Sequence, residues 1–367
     1  MAEHSISKNE NHLPLPGKIA LITDTANISF EDYHSADMLI ARYGAEKIIH
    51  VTWPERLADE HEQVINIVNS LAADKEIRVL IINEAIKGCN AAVDKLKETR
   101  NDIFIVYLLL HEPYVDAGSR ANLVLHPNQI KMGQEMVKQA KKQGAKVFVH
   151  YSFPRHRSMA ILASQQELVK KTCITEGIRF VDATVLDPRE ENGINAASQY
   201  ILEDVQRLAA KYGEDTAFYC TNCTLQAPLI KAVVDCHAIY PQPCCPSIYH
   251  GFPEALGIDM GKGLINLSSF IDEAGSIARS KNMTDRLSTW PVSPPMMSTS
   301  ASAEYAIKWI NGEAPKTGID SRILADCMNS YIVEVVGEES SIFMDSYSEN
   351  GVKYDNIILM LMSYLDL

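Results

Sequence analysis

No glycine follows the first hydrophobic run of this chain. Thr23-Asp24-Thr25-Ala26-Asn27-Ile28 stands where a Gly-x-Gly-x-x-Gly turn would have to approach a pyrophosphate, which argues against a dinucleotide cofactor. A Walker-type phosphate loop and a Gly-x-Ser-x-Gly nucleophile elbow are also missing, and no segment of helix-turn-helix size precedes residue 17. Basic residues are scarce: 34 Lys and Arg stand against 47 Asp and Glu, a formal net charge of −13. Nucleic-acid binding needs clustered cations, so direct contact with nucleic acid is not expected. The densest basic stretch, Lys138, Lys141, Lys142 and Lys146, reads as the solvated face of a helix. No apolar run approaches the roughly 20 residues of a membrane span. Met1 to Pro16 is polar and holds no signal-peptide core, so the chain as written reads as cytoplasmic, and as extracytoplasmic if a native leader was removed. The eight cysteines have no regular spacing and point to reduced thiols rather than a disulfide framework.

What is present is a series of short, continuous apolar runs that end abruptly in polar or aromatic residues. They are 18–24, 47–53, 78–84, 103–112 and 146–152, with a shorter one at 122–126. Continuous rather than alternating runs indicate strands buried on both faces. Helical patterns between them imply right-handed parallel crossovers. In such sheets ligands bind beyond the carboxyl ends of the strands, so the polar tips are the first place to look for function.

At 367 residues the chain is long enough for two domains. Residues 1–16 read as a disordered leader. Helices are expected near 30–43, 55–73, 88–100 and 128–143 in the first βα series. A second series places helices at Ser158–Glu176, about 196–212, 225–236 and 266–281, with strands at 178–185 and 216–220. Residues 284–297 read as an extended connector and 299–311 as a helix, followed by less regular material. Ile357–Met362 is a buried strand or helix, which periodicity does not decide. The expected architecture is two similar α/β lobes, each a parallel sheet flanked by helices, with a ligand cleft between them. The first lobe takes 17–126 plus about 290–367 as return and C-terminal extension. The second takes 127–289.

Four motifs carry a resemblance. They are Phe148-Val-His150-Tyr-Ser152-Phe-Pro154-Arg155-His156, Tyr200-Ile-Leu-Glu-Asp204, Cys220-Thr-Asn222 and Ala255-Leu-Gly257-Ile-Asp259. Over about residues 18–312 the chain resembles the type I periplasmic-binding-protein fold, shared by solute-binding lipoproteins and the effector domains of sugar-responsive repressors. More narrowly, the motifs resemble an uncharacterised bacterial family of predicted lipoproteins and cytosolic relatives. The resemblance implies the fold and hinge closure on a small molecule. Two departures are the missing lipoprotein leader and the extra cysteines near 223–245.

Candidate ligand-binding residues sit at the strand tips. Ser152-Phe-Pro-Arg155-His156-Arg157-Ser158 joins a strand to a helix start, where backbone N–H groups and a guanidinium could grip an anion. Arg157 is expected to point to solvent. Thr23, Asp24, Asn83 and Glu84 offer hydroxyl, amide and carboxylate groups, or else cap the following helices. His111 with Glu112, and His150, lack metal-ligand spacing. Asn222 follows a strand of the second lobe, and Trp53, Tyr249 and Trp290 are candidate stacking surfaces. Five of the eight cysteines fall within 220–245, and His250 follows closely. Cys220-x-x-Cys223, Cys236-His237 and Cys244-Cys245 could make a zinc or redox site, but Cys220 belongs to a buried strand, and the cluster reads as structural.

The resulting expectation is binding of a small polar solute, anionic or zwitterionic, by hinge closure. Its ligand contacts are Thr23, Asp24, Asn83, Glu84, His111, Ser152, Arg155, His156, Asn222 and Trp290. No catalytic residue, cofactor or metal is expected. Partners are the small-molecule ligand and a signalling or transport protein. The alternatives are a cytosolic ligand sensor akin to a transcriptional regulator, and an enzyme using His150, His111 or Cys223.

Overall fold

A computed structural model describes residues 13–54, 61–190, 193–260 and 267–367. Residues 1–12 of the leader expected over 1–16, the start of the helix expected from 55, and the 266 start of another lie outside them. The chain divides into two compact units. The first comprises residues up to Pro127, Pro294–Glu334 and Ile342–Met360; the second comprises Asn128–Ser293, Val335–Ser341 and Leu361–Leu367.

In chain order the first series runs β1 (Lys18–Thr23), α1 (Phe30–Tyr43), β2 (Ile48–Thr52), α2 (His61–Leu71), β3 (Ile77–Ile82), α3 (Cys89–Lys97), β4 (Phe104–Leu108), α4 (Tyr114–Gly118) and β5 (Leu123–Pro127). The second series is α5 (Gln129–Lys142), β6 (Val147–Ser152), α6 (Pro154–Arg157), α7 (Ala160–Glu176), β7 (Arg179–Thr184), α8 (Gly193–Tyr212) and β8 (Thr216–Cys220). A 3-10 turn at Cys223–Leu225 leads into α9 (Gln226–Asp235), then α10 (Phe252–Leu256), α11 (Leu267–Ser280) and β9 (Ser288–Thr289). The return consists of α12 (Pro294–Ile310), α13 (Ser321–Val336), β10 (Ile342–Glu349), β11 (Val352–Met362) and β12 (Leu365–Asp366).

The first unit is built on a seven-stranded sheet in the order β10-β11-β5-β4-β3-β1-β2. Five of its pairings, β1 with β2 and β3, β3 with β4, β4 with β5, and β5 with β11, are parallel. β3, β4 and β5 are buried nearly throughout, as their continuous apolar sequences require. β10 and β11 join through Asn350-Gly351, both at positive φ, the combination a tight hairpin turn needs. Leu15 is buried, and Lys47 Nζ donates to its carbonyl at 3.4 Å.

In the second unit β6 lies between β7 and β8, parallel to both. All six residues of β6 are buried, whereas β7 is an edge strand and largely accessible. β9 and β12 form a small antiparallel pair.

The return departs from the expectation in two places. The helix expected from Thr299 begins at Pro294, because proline at the first helical positions loses no hydrogen bond and already has helical φ. The stretch expected to be irregular holds α13 and the β10–β11 hairpin, and Ile357–Met362 lies within strand β11.

Candidate functional site

Parallel register brings the carboxyl ends of β1, β2 and β3 level. Thr23 pairs with Thr52 and Ile22 with Ile82; Trp53 N then donates to Thr23 O at 2.8 Å, and Asn83 N to Ile22 O at 2.9 Å. Thr23 Oγ1 donates to the Asp24 carbonyl at 2.8 Å and meets His50 Nε2, also at 2.8 Å. Burial lowers the His50 pKa, so the ring is held towards its neutral form. Asn83 is buried, and its Nδ2 donates to Thr299 Oγ1 at 3.1 Å.

Beyond these tips lies an acidic group. One carboxylate oxygen each from Asp24, Asp32 and Glu84 fall within 4.8 Å of one another. Asp32 reaches the group from the first turn of α1, whose N-cap is Ser29. It is 1% exposed, and its Oδ1 has no hydrogen-bond partner among the described residues. Burial, and then the charge of Glu84, push its pKa well up. Burial and Glu84 likewise raise Asp24, to about 6, with His111 acting in the opposite direction. Glu84 adopts a left-handed backbone with φ 56°, a conformation costly for a residue with a Cβ. Its Oε2 lies 2.6 Å from His111 Nε2, and that hydrogen bond raises the His111 pKa. Glu112 serves differently, accepting from Gly88 N at 2.9 Å and Asn90 N at 3.2 Å at the start of α3.

At the carboxyl end of β6 in the second unit, Thr221 Oγ1 donates to Ser152 Oγ at 3.3 Å and lies 2.9 Å from His156 Nδ1. Arg155 is engaged within the chain. Its Nε and one terminal nitrogen both contact Asp187 at 2.8 Å, and this guanidinium holds the Asp187 carboxyl down at about 2. Arg157, expected to point to solvent, donates to Asp182 at 2.8 Å and to the Ala183 carbonyl at 3.0 Å. Ser158 does not cap the long helix: its Oγ donates to Arg155 O, and Met159 takes the cap position of α7. Asn222 caps the turn after β8, accepting from Thr224 N at 3.0 Å. Trp53 and Trp290 are each 1% exposed, which leaves neither with an open face for stacking. His150 is enclosed between Phe180 and Tyr219, and burial lowers its pKa to about 3, so it is a neutral core histidine.

Of the residues read from the sequence, Asp24, Glu84 and His111 thus come together in the first unit. Ser152 and His156 meet in the second, through Thr221. Asp32 is absent from the sequence-based set, because an acidic residue in a helix's first turn, three residues after the N-cap Ser29, reads as part of the cap. A separate convergence brings Cys223, Cys244, Cys245 and His250 together in the second unit, while Cys220 remains buried in β8.

Both units carry parallel sheets with polar groups at the strand tips, and solved structures share this architecture. A Clostridium difficile 630 protein described as a "Putative transcriptional regulator" matches with a TM-score of 0.82 at 19% identity, over 97% of this chain and 100% of that one. A sugar ABC transport substrate-binding protein from Bordetella parapertussis 12822 matches at 0.54 and 11% identity, over 97% and 90%. A periplasmic solute-binding protein from Actinobacillus succinogenes 130z, with bound D-allose, matches at 0.51 and 13% identity, over 82% and 94%. The fold is that of type I periplasmic-binding-like proteins. The chain belongs to the family described as "Protein of unknown function (DUF3798)", which matches residues 18–288. Two Treponema pallidum (strain Nichols) proteins, each described as an uncharacterized protein, are 27% and 29% identical over 165 and 176 residues. These stretches cover 45% and 46% of this chain and 76% and 80% of the relatives. Among the described residues no helix is long and apolar enough to cross a membrane.

Proposed function

We propose that the chain binds a small polar molecule at the carboxyl edge of the first unit's sheet, with Asp24, Asp32 and Glu84 receiving hydroxyl or ammonium groups. The observation that carries this reading is the buried, unpartnered Oδ1 of Asp32 beside two further carboxylates. A buried acceptor without a donor costs about 1–3 kcal/mol, and a ligand donor would recover part of that. The left-handed backbone of Glu84 supports the same reading, since strain of this kind concentrates at ligand sites. Thr23, Asn83 and His111 complete the polar rim.

The ligand class follows from the charges. A neutral polyhydroxylated molecule, or one carrying an ammonium group that draws the raised Asp24 and Asp32 carboxyls to their ionised form, suits these three carboxyl groups. A zwitterion remains compatible through its ammonium end. A purely anionic solute is the weaker form of the proposal, because Arg155 and Arg157 are already engaged by Asp187 and Asp182. The bound sugar of the Actinobacillus succinogenes protein supports testing hydroxylated ligands first. Binding is proposed to proceed by hinge motion where the chain passes between units, at Pro127–Asn128, Ser293–Pro294, Glu334–Val335, Ser341–Ile342 and Met360–Leu361.

Native mass spectrometry of gently purified protein, followed by a thermal-shift panel of sugars, polyols, amino acids, amines and dicarboxylates, tests the class. The expected result is stabilisation by hydroxylated or ammonium-bearing compounds, with a fall in radius of gyration on binding. Stabilisation by dicarboxylates alone would contradict it.

A further inference from the structure

The second unit holds four soft metal ligands at a single point. Cys223 Sγ lies 3.5 Å from Cys244 Sγ and 3.8 Å from Cys245 Sγ, and Cys244 Sγ lies 3.6 Å from His250 Nε2. All four ligand atoms fall within 4.8 Å of one another. We propose that Cys223, Cys244, Cys245 and His250 form a mononuclear zinc site that ties the end of β8 to the loop before α10.

The distances suit one tetrahedral ion. With zinc–sulfur bonds of about 2.3 Å and a zinc–nitrogen bond of about 2.0–2.1 Å, tetrahedral geometry separates two sulfurs by about 3.8 Å and a sulfur from a nitrogen by about 3.6 Å. Four ligands of the Cys3His type close the coordination sphere, the arrangement of structural zinc. Thiolate and imidazole together favour zinc over oxygen-seeking magnesium or calcium. An iron–sulfur cluster is a poorer fit, since its cysteines bind different irons and stand farther apart than the ligands of a single ion.

The fold holds these ligands in place independently of any ion. Cys223 opens the turn that Asn222 caps, and Gln226 fixes that turn from below by donating to Cys220 O at 3.0 Å and Asn222 O at 2.5 Å. Tyr240, just before the cysteine pair, donates to Gln226 Oε1 at 2.5 Å and is tied by a parallel bridge to Leu287. His250 precedes Gly251, whose φ of +86° and lack of a side chain let the loop close on α9. A Cβ at that position would sit 2.7 Å from Gln226 Cβ and 2.9 Å from Ala227 N. Cys223 and Cys245 are exposed, so an ion can reach the site from solvent. Cys236, only 13 residues beyond Cys223 in sequence, is not part of the group.

The full chain, purified under reducing conditions without chelator, should hold about one zinc per molecule by elemental analysis. Replacement by cobalt should give the intense visible bands of a tetrahedral, sulfur-rich site. Cys223→Ser and Cys244→Ser should each lower metal content at least tenfold. His250→Ala should weaken cobalt affinity at least tenfold and shift the spectrum, while Cys236→Ser should match the parent. Circular dichroism separates metal loss from unfolding. A Cys223→Ser/Cys244→Ser double variant that retains the metal would overturn the assignment. So would parent protein with eight titratable thiols that takes up neither zinc nor cobalt.

Discussion

Arg155 and Asp187 face each other through two parallel contacts of 2.8 Å, one from Nε and one from a terminal nitrogen. The pair lies in the segment the sequence marks as an anion grip, and it engages two nitrogens of that guanidinium from within the chain. An anionic ligand at Arg155 would compete with Asp187 for the guanidinium.

Breaking this pair should produce a pH-dependent loss of stability. The Asp187 pKa in the folded chain is depressed to about 2 by Arg155. Its contribution is therefore fully present above the unfolded value near 3.9 and is lost as pH falls through about 2. Arg155→Ala should cost about 1 kcal/mol or less at pH 7, since the arginine is 35% exposed and solvent screens the pair. Denaturant midpoints at pH 7 and pH 3 should show the difference shrinking at the lower pH. A constant difference would mean that packing of Arg155 over Phe153, rather than the charge pair, sets the effect.

Asp24 carries the opposite sign. Its folded pKa is raised to about 6, so between the unfolded value near 3.9 and 6 the folded chain binds more protons than the unfolded chain. Stability should fall as pH rises through that window, and the loss should be complete above it. Asp24→Asn should therefore raise the melting temperature at pH 7.5 and have little effect at pH 4. Equal effects at both pH values would show that Asp24 is not held protonated by its surroundings.

Gly251→Ala tests the close approach of the His250 loop to α9. Positive φ together with a Cβ contact of 2.7 Å should destabilise the chain by about 1–3 kcal/mol, read from the denaturant midpoint. Gly257→Ala is the comparison: it has φ +72° but open space around it, so it should cost only the conformational part, about 1 kcal/mol.

The central strands could be read directly, because a strand buried on both faces is continuously apolar. Val79–Ile82 and Phe104–Leu108 have that form. The hairpin at β10–β11 could not be recognised in the same way: Ile342–Glu349 mixes exposed and half-buried residues, and only Asn350-Gly351 marks the turn. The start of α12 is hidden because Pro294-Pro295 reads as extended chain unless its position in a first turn is known. At the site, Asp24, Glu84 and His111 were recognisable as strand-tip residues, since parallel topology alone places them there. Asp32 enters from a helix, and its burial depends on packing that no local pattern encodes. The cysteines show the same limit. Cys220 and Cys223 look paired by spacing, yet Cys220 is buried in β8 and the partners of Cys223 come from a loop more than twenty residues on.

Calorimetric titration of the compound that stabilises the protein most strongly, against the parent, Asp32→Asn and Arg155→Ala, tests the central claim most directly. Asp32→Asn should weaken binding by about ten- to a hundredfold, corresponding to the loss of a hydrogen bond of about 1.5–3 kcal/mol that becomes charge-assisted when the ligand's donor draws Asp32 to its ionised form, while Arg155→Ala leaves affinity within about twofold. The reverse pattern, with Asp32→Asn binding as the parent does and Arg155→Ala losing the ligand, would place recognition at the second unit's arginine segment and contradict the account.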